Sequence, residues 1–233
     1  MNLFYDPDIT GQFYTLNKVD SNHLIRVMRI KAGESVIVTD GKGKLFECVV
    51  TDGNPKNCQV EIVSITPGND IRNFTLEIAI APTKNINRFE WFLEKSTEIG
   101  IYRISPILCV HSERKTIKTN RLNRVITAAM KQSLKSFHPK LDDLININDI
   151  IEKPFQGQKF IAYVDNKIEN ELFNMCKPNI DTLVLIGPEG DFSKEEIANA
   201  IDNGFIPVKL GLSRLRTETA GIVACHTVNM VNL

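Results

Sequence analysis

Two short stretches carry the residue types from which a binding site could be built. Leu183–Ile197 reads LVLIGPEGDFSKEEI, and Val208–Val223 reads VKLGLSRLRTETAGIV. In the first, an apolar run meets Gly187-Pro188-Glu189-Gly190 and passes straight into a helix opened by Ser193 and Glu196, a capping-box spacing. Gly187 and Gly190 permit close backbone approach, and Pro188 removes a main-chain donor. A glycine-containing turn between a strand end and a helix start is where α/β proteins bind nucleotide-like ligands. The pattern is neither GxGxxG nor a phosphate loop ending in Lys-Ser or Lys-Thr, so it points to a ligand without saying which. In the second stretch Gly211 closes a strand, a loop runs from Leu212 to Arg216, and Thr217 or Thr219 can cap a final helix with Glu218 in its first turn. The ends Leu185-Ile186-Gly187 and Leu210-Gly211 read as neighbouring strand ends. Such a pair can wall a slot for a flat ring, with main-chain groups reading its edge. They also read as ordinary helix-capping loops, and the residues alone leave both readings open.

The elements that must position these stretches follow from periodicity. Up to about Thr66 the chain reads as β-structure. ESVIVTD and KLFECVV are joined by the hairpin signal Asp40-Gly41-Lys42-Gly43, CQVEIVSI alternates cleanly, and SNHLIRVMRI is a helical interruption. A small barrel is expected, ending at the polar break Pro67–Asn73. Beyond it FTLEIAIA, RISPILC, KFIAYV, TLVLIG and IPVKLG read as strands. Helices are expected near 87–99, 121–136, 169–175, 193–203 and 217–230. That alternation predicts an α/β domain with a parallel sheet covered by helices on both faces. The division expected is therefore 1–68 and 74–233.

Two helices reward inspection of their faces. In the first, Phe89, Phe92, Leu93, Ser96 and Ile99 share one side while Glu90, Glu94 and Glu98 line another, read as a solvated face. In the second, Arg121, Arg124, Lys131 and Lys135 fall in one sector opposite Leu122, Val125, Ile126, Ala129 and Ser133. No acid at i±4 pairs them, so either a solvated face or phosphate contact is open.

Composition narrows the classes. The 233 residues are 42% hydrophobic and 24% charged, an ordinary globular balance. No apolar run approaches a membrane span, and the N-terminus lacks the form of a signal peptide, so a cytoplasmic protein is expected. Cys48, Cys58, Cys109, Cys176 and Cys225 are scattered without a CxxC, as are the four histidines, so packed thiols and no metal are expected. The formal net charge is zero, which argues against unspecific coating of nucleic acid. Yet eight bases and no acid lie between Arg114 and Lys140, as in a local docking surface for a polyanion.

With IGPEGDFSKEEI and LGLSRLRTETA together, the chain resembles the SPOUT methyltransferases, and within them the RsmE family. HLIRVMRI is similar to that family's H-x-x-x-V-L-R element, RFEWFLEKSTEIG to its K-x-E…K-x-x-E-L-G segment, and Ser112-Glu113-Arg114 to a further short element. Lys131-Gln132-Ser133-Leu134-Lys135 departs from the family's Glu-Gln-Ser/Cys-x-Arg, and Asp191 stands where glycine is common. The resemblance implies an S-adenosylmethionine-dependent 16S ribosomal RNA methyltransferase acting on uridine N3 in the small subunit. It also implies a PUA-like RNA-binding β-barrel at the N-terminus, a SPOUT-type parallel sheet with a trefoil knot, and a homodimer. An RNA-binding or ribosome-assembly factor of the same fold without turnover is the alternative.

By the same likeness, Leu185, Ile186, Gly187, Pro188, Glu189, Gly190, Leu210, Gly211, Leu215, Arg216, Thr217, Glu218, Thr219 and Ala220 hold the cofactor. Uridine N3–H must lose a proton on attack, so a carboxylate and a cation are wanted. Glu218 and Arg216 are the candidates. Glu218 equally suits stabilisation of its own helix, and Arg216 equally suits an RNA phosphate or the donor's carboxylate. Arg29, Arg114, Arg121, Arg124, Lys131 and Lys135 are the expected RNA contacts.

Overall fold

The structure is a computed structural model that describes residues 3–233. Two compact units emerge: Met1–Ile71 with Thr127–His138, and Arg72–Ile126 with Pro139–Leu233.

The first unit is a five-stranded sheet in the order β1-β3-β4-β5-β2. Its strands are β1 (Leu3–Tyr5), β2 (Phe13–Thr15), β3 (Ser35–Thr39), β4 (Lys44–Asp52) and β5 (Gln59–Pro67). Alternation drives it: Val36, Val38, Phe46, Cys48, Val50 and Val60 turn inward to a core with Phe4, Leu16 and Leu24. The interruption expected at SNHLIRVMRI is α1 (Lys18–Asn22), capped by Asn17, running into a π-helical turn at His23–Val27. That turn closes with Ile30 N–H donating to the Leu24 carbonyl at 3.2 Å. Arg29, two residues beyond Val27, is left with φ 59°, the left-handed conformation of a helix C-terminus.

Residues 127–138 join this unit although they follow the sequence break by more than fifty positions. Asp70 accepts from the Ser136 and Phe137 amides at 3.0 and 3.2 Å, and from the Ser136 hydroxyl. Thr39 Oγ1 donates to the Ser136 carbonyl at 2.9 Å, and Tyr5 stacks on His138 with centroids 5.0 Å apart. A linear reading that draws one boundary near Pro67 cannot see this return.

The second unit is a parallel sheet in the order β12-β10-β11-β6-β7-β8, with β9 pairing β7. Its strands are β6 (Leu76–Ile80), β7 (Arg103–Leu108), β8 (Lys140–Leu141), β9 (Ile145–Asn146), β10 (Gln158–Ala162), β11 (Thr182–Ile186) and β12 (Ile206–Val208). The helices are α2 (Ile86–Ile99), α3 (Thr119–Gln132, of which residues 127–132 belong to the first unit), α4 (Ile147–Ile151), α5 (Leu172–Met175), α6 (Lys194–Asp202) and α7 (Thr217–Val231). Leu76, Ile78, Ile80, Val184 and Ile186 face one way, onto Phe89, Phe92, Ala224 and Val228 of α2 and α7. Ala79, Leu183 and Leu185 face the other way, with Ile147, Ile150 and Ala200 of α4 and α6. Both faces are thus covered, which is why these strands read as continuous apolar runs. The segment expected as a helix over 169–175 is shorter, because residues 170–171 pair with Lys209 before the chain turns helical. No helix of the described residues is long and apolar enough to cross a membrane.

Candidate functional site

The C-terminal ends of β12, β10 and β11 lie side by side, in that order. The two glycine-bearing strand ends are therefore not neighbours, contrary to the sequence reading: β10 runs between them. Its end carries Ala162-Tyr163-Val164-Asp165 rather than glycine, and sheet order is a tertiary property no local pattern records.

A cavity of about 470 Å³ opens at these three ends. That volume suits a nucleoside-sized ligand. Of the residues expected to hold a cofactor, Ile186, Gly187, Pro188, Glu189, Leu210, Gly211, Leu215, Arg216, Thr217 and Ala220 line it. Leu185, Gly190, Glu218 and Thr219 do not. Leu185 points into the core on the other face of the sheet. Gly190 is required by close approach, since a Cβ there would stand 2.9 Å from His111 Cβ. The sequence reading did not include Ala162–Asn166, Ile168, Asp191, Val208, Lys209 or Leu212–Arg214. Strand polarity was the available signal: KFIAYV is followed by the turn-like Asp165-Asn166, and in a parallel sheet every strand end points to the same side. Burial first, and then Asp165 and Asp191, push the Tyr163 hydroxyl up from its ordinary value.

Local rules explain the walls. Ser193 Oγ accepts from the Glu196 amide and Glu196 Oε2 accepts from the Ser193 amide at 2.7 Å, closing the capping box read in the sequence. Asp191 sits at φ 62°, a conformation Asp tolerates, and its carboxylate accepts from the Phe192 amide at 2.9 Å. Gly211 has φ 133°, and a Cβ there would meet nothing within 4 Å. Glycine is needed at 211 for backbone angle, and the space beside it stays open.

The two candidate reacting groups part company. Arg216 is exposed and lines the cavity. Glu218 is buried in the first turn of α7, with Oε1 3.8 Å from Arg88 Nε on α2 and Oε2 without a hydrogen-bond donor.

The basic residues also divide. Arg121 Nε lies 2.6 Å from Glu90, a member of the acidic stripe read as solvated. Lys131 Nζ lies 2.9 Å from Asp20 and 5.2 Å from the Phe4 ring centroid. Arg114 spends Nε and Nη2 on the carbonyls of Thr83 and Lys84, at 2.9 and 2.6 Å. Among the described residues, Arg29, Arg124 and Lys135 have no ion-pair partner. The absence of an acid at i±4 therefore left open a pairing that Arg121 and Lys131 find elsewhere in the chain.

A family model described as an RNA methyltransferase domain matches residues 71–229, and one described as an RNA methyltransferase PUA domain matches residues 16–63. A crystal structure of a probable rRNA-methyltransferase from Porphyromonas gingivalis is 41% identical, with a TM-score of 0.93, covering 100% of this chain and 98% of that one. A Legionella pneumophila protein solved in complex with the bound cofactor SAM is 26% identical, with a TM-score of 0.87, over 99% of this chain and 97% of that one. The ribosomal RNA small subunit methyltransferase E of Mesomycoplasma hyopneumoniae is 28% identical over 95% of this chain and 96% of its own length.

Proposed function

This chain belongs to the RNA methyltransferase family, and on that footing we propose that it transfers a methyl group from S-adenosylmethionine to N3 of one uridine in the 16S RNA of the small ribosomal subunit. The observation that carries this reading is the cavity at the ends of β12, β10 and β11, walled by the GPEG and LRTETA segments. Its lining fits the cofactor chemically. Ile186, Leu210, Leu215 and Ala220 offer apolar surface for a purine, Gly211 leaves its flank open, and the loop main chain supplies donors and acceptors.

When bound, S-adenosylmethionine supplies a methyl group made electrophilic by its sulfonium. Everything else is alignment, since in-line displacement depends on the geometry of donor carbon and acceptor nitrogen. In this reading Arg216, exposed and lining the cavity, favours the anionic form of the uracil ring, and Glu218, two residues on and buried beside Arg88, takes the N3 proton, which requires its Oε2 to become accessible when RNA binds. Leu185, Gly190 and Thr219 support the site from behind its lining. The PUA-like unit binds RNA, with Arg29 and Lys135 as its phosphate contacts because no ion pair among the described residues engages them, and Arg124 of the second unit is a further candidate contact on the same ground. A homodimer and a trefoil knot in the C-terminal unit belong to the same reading and rest on the family likeness, and a cytoplasmic location goes with a ribosomal substrate.

Titrating the protein with S-adenosylmethionine while following its thermal unfolding tests the cofactor assignment. At a ligand concentration of 100 Kd the expected stabilisation is about 2.7 kcal/mol. No shift, with a shift for another nucleotide, would replace it. A factor of this fold without turnover would bind the cofactor and leave small subunits unmethylated.

A further inference from the structure

We infer that Glu189 and Asp191, the two carboxylates of the GPEGD turn, are positioning residues that clasp the main chain of the loops on either side, with Arg114 as the outer brace of one of them. The inference rests on the cofactor reading of the cavity given above.

The peptide segment at Lys84, in the loop between β6 and α2, is held by its polar groups on two sides. Its amide donates to Glu189 Oε1 at 3.0 Å, and its carbonyl accepts from Arg114 Nη2 at 2.6 Å. Arg114 Nε takes the preceding carbonyl, that of Thr83, at 2.9 Å, so two of the guanidinium nitrogens straddle the turn. The Lys84 ammonium reaches Glu113 at 2.7 Å, adding a second tie from the same post-β7 loop. On the other flank Asp191 Oδ2 accepts from the Val164 amide at 3.1 Å, at the end of β10. The turn is therefore anchored to the β6–α2 loop by one carboxylate and to the β10 end by the other. Pro188, Glu189, Asp191 and Val164 all line the cavity. Freeing either loop would loosen its wall.

This assignment differs from two more obvious ones. A carboxylate at a site for a cationic cofactor suggests direct charge pairing, and an arginine in a ribosomal RNA enzyme suggests phosphate contact. Glu189 has an oxygen spent on a backbone amide, and Arg114 has its fork spent on carbonyls. An amide in place of the Glu189 carboxyl would keep the acceptor while losing the charge, which separates the readings.

The test compares Glu189→Gln, Glu189→Ala, Arg114→Ala and the Glu189→Ala/Arg114→Ala double variant with the wild type. Hydrogen exchange of the Lys84 amide is read on cofactor-free protein, and S-adenosylmethionine affinity by calorimetry without RNA. Glu189→Ala and Arg114→Ala are each expected to speed that exchange and weaken the cofactor by about tenfold, while Glu189→Gln stays within about twofold of wild type. The double variant is expected to fall short of the sum of the singles, because both act on one loop. Equal losses for Gln and Ala at 189 would overturn the inference in favour of direct charge contact with the cofactor. Unchanged exchange and cofactor affinity in Arg114→Ala, with a reduced salt dependence of RNA binding, would overturn it in favour of phosphate contact. A wild type that binds no S-adenosylmethionine would sink the cofactor reading instead, and the exchange data would still decide the clasp.

Discussion

Replacing Glu218 by Gln distinguishes a proton acceptor from a helix-stabilising carboxylate. The side chain is 7% exposed, Oε1 stands 3.8 Å from Arg88 Nε, and Oε2 has no donor. A carboxylate in a first helical turn contributes about 0.3–1 kcal/mol through the helix dipole. The ion pair with Arg88, whose side chain is 42% exposed, adds about 1 kcal/mol at most. The isosteric amide forfeits both, so it should lower folding stability by about 1–2 kcal/mol, a Tm change of about 2–8 °C in a chain of this size. Glu218 lies outside the cavity lining, so cofactor affinity should hold. A group that takes the proton from N3 contributes a factor of about 10²–10⁴, and single-turnover methylation should slow by that much. Calorimetry for the cofactor, urea unfolding for stability and labelled-methyl transfer for the rate supply the three numbers. An unchanged rate in Glu218→Gln, with or without a loss of stability, would refute the proton-acceptor role and leave Glu218 as part of the helix start.

Other substitutions test the rest of the site. Arg29 holds φ 59° without being glycine, so Arg29→Gly should raise stability by up to about 1 kcal/mol while weakening RNA binding; an RNA affinity equal to wild type would remove Arg29 from the interface. Arg124→Ala should lower the slope of log K against log salt for RNA by about 1. Lys131→Ala, which removes the ammonium from Asp20 Oδ1 while Asn17 Nδ2 still donates to Oδ2, should leave that slope alone and cost no more than about 1 kcal/mol of stability in urea unfolding. Burial, before any neighbouring charge, pushes the Cys48 and Cys225 thiols up to about 11 and about 12. Raised values favour the neutral thiol in the folded state, so their contribution is complete below the unfolded value of about 8.5 and is lost as pH rises through the folded ones. Urea unfolding from pH 8 to 11 should show stability falling, and falling less steeply in Cys48→Ala/Cys225→Ala; identical slopes would exclude the thiols as the cause.

Much of this was readable before the structure. Apolar runs at 76–80, 158–162 and 182–186 gave the buried parallel strands, because burial on both faces erases alternation. The Ser193/Glu196 spacing gave the start of α6, because the capping box is wholly local. What escaped depends on distance along the chain. Strand order put β10 between the two glycine turns, and nothing near Ala162 announces it. Strands of two or three residues, such as β1, β8 and β9, are too short to show a period. Residues 127–138 return to the first unit through Asp70, whose partners lie 66 and 67 positions away. Arg114 looks in sequence like one base in a basic block, and only the structure commits its nitrogens to Thr83 and Lys84.

The most direct measurement is the identity of the product. Small ribosomal subunits lacking the modification, incubated with this protein and methyl-labelled S-adenosylmethionine, should yield on digestion one labelled nucleoside, N3-methyluridine, from one position. Label in a different nucleoside, or none from a folded protein that binds the cofactor, would contradict the assignment of this cavity to uridine-N3 methylation.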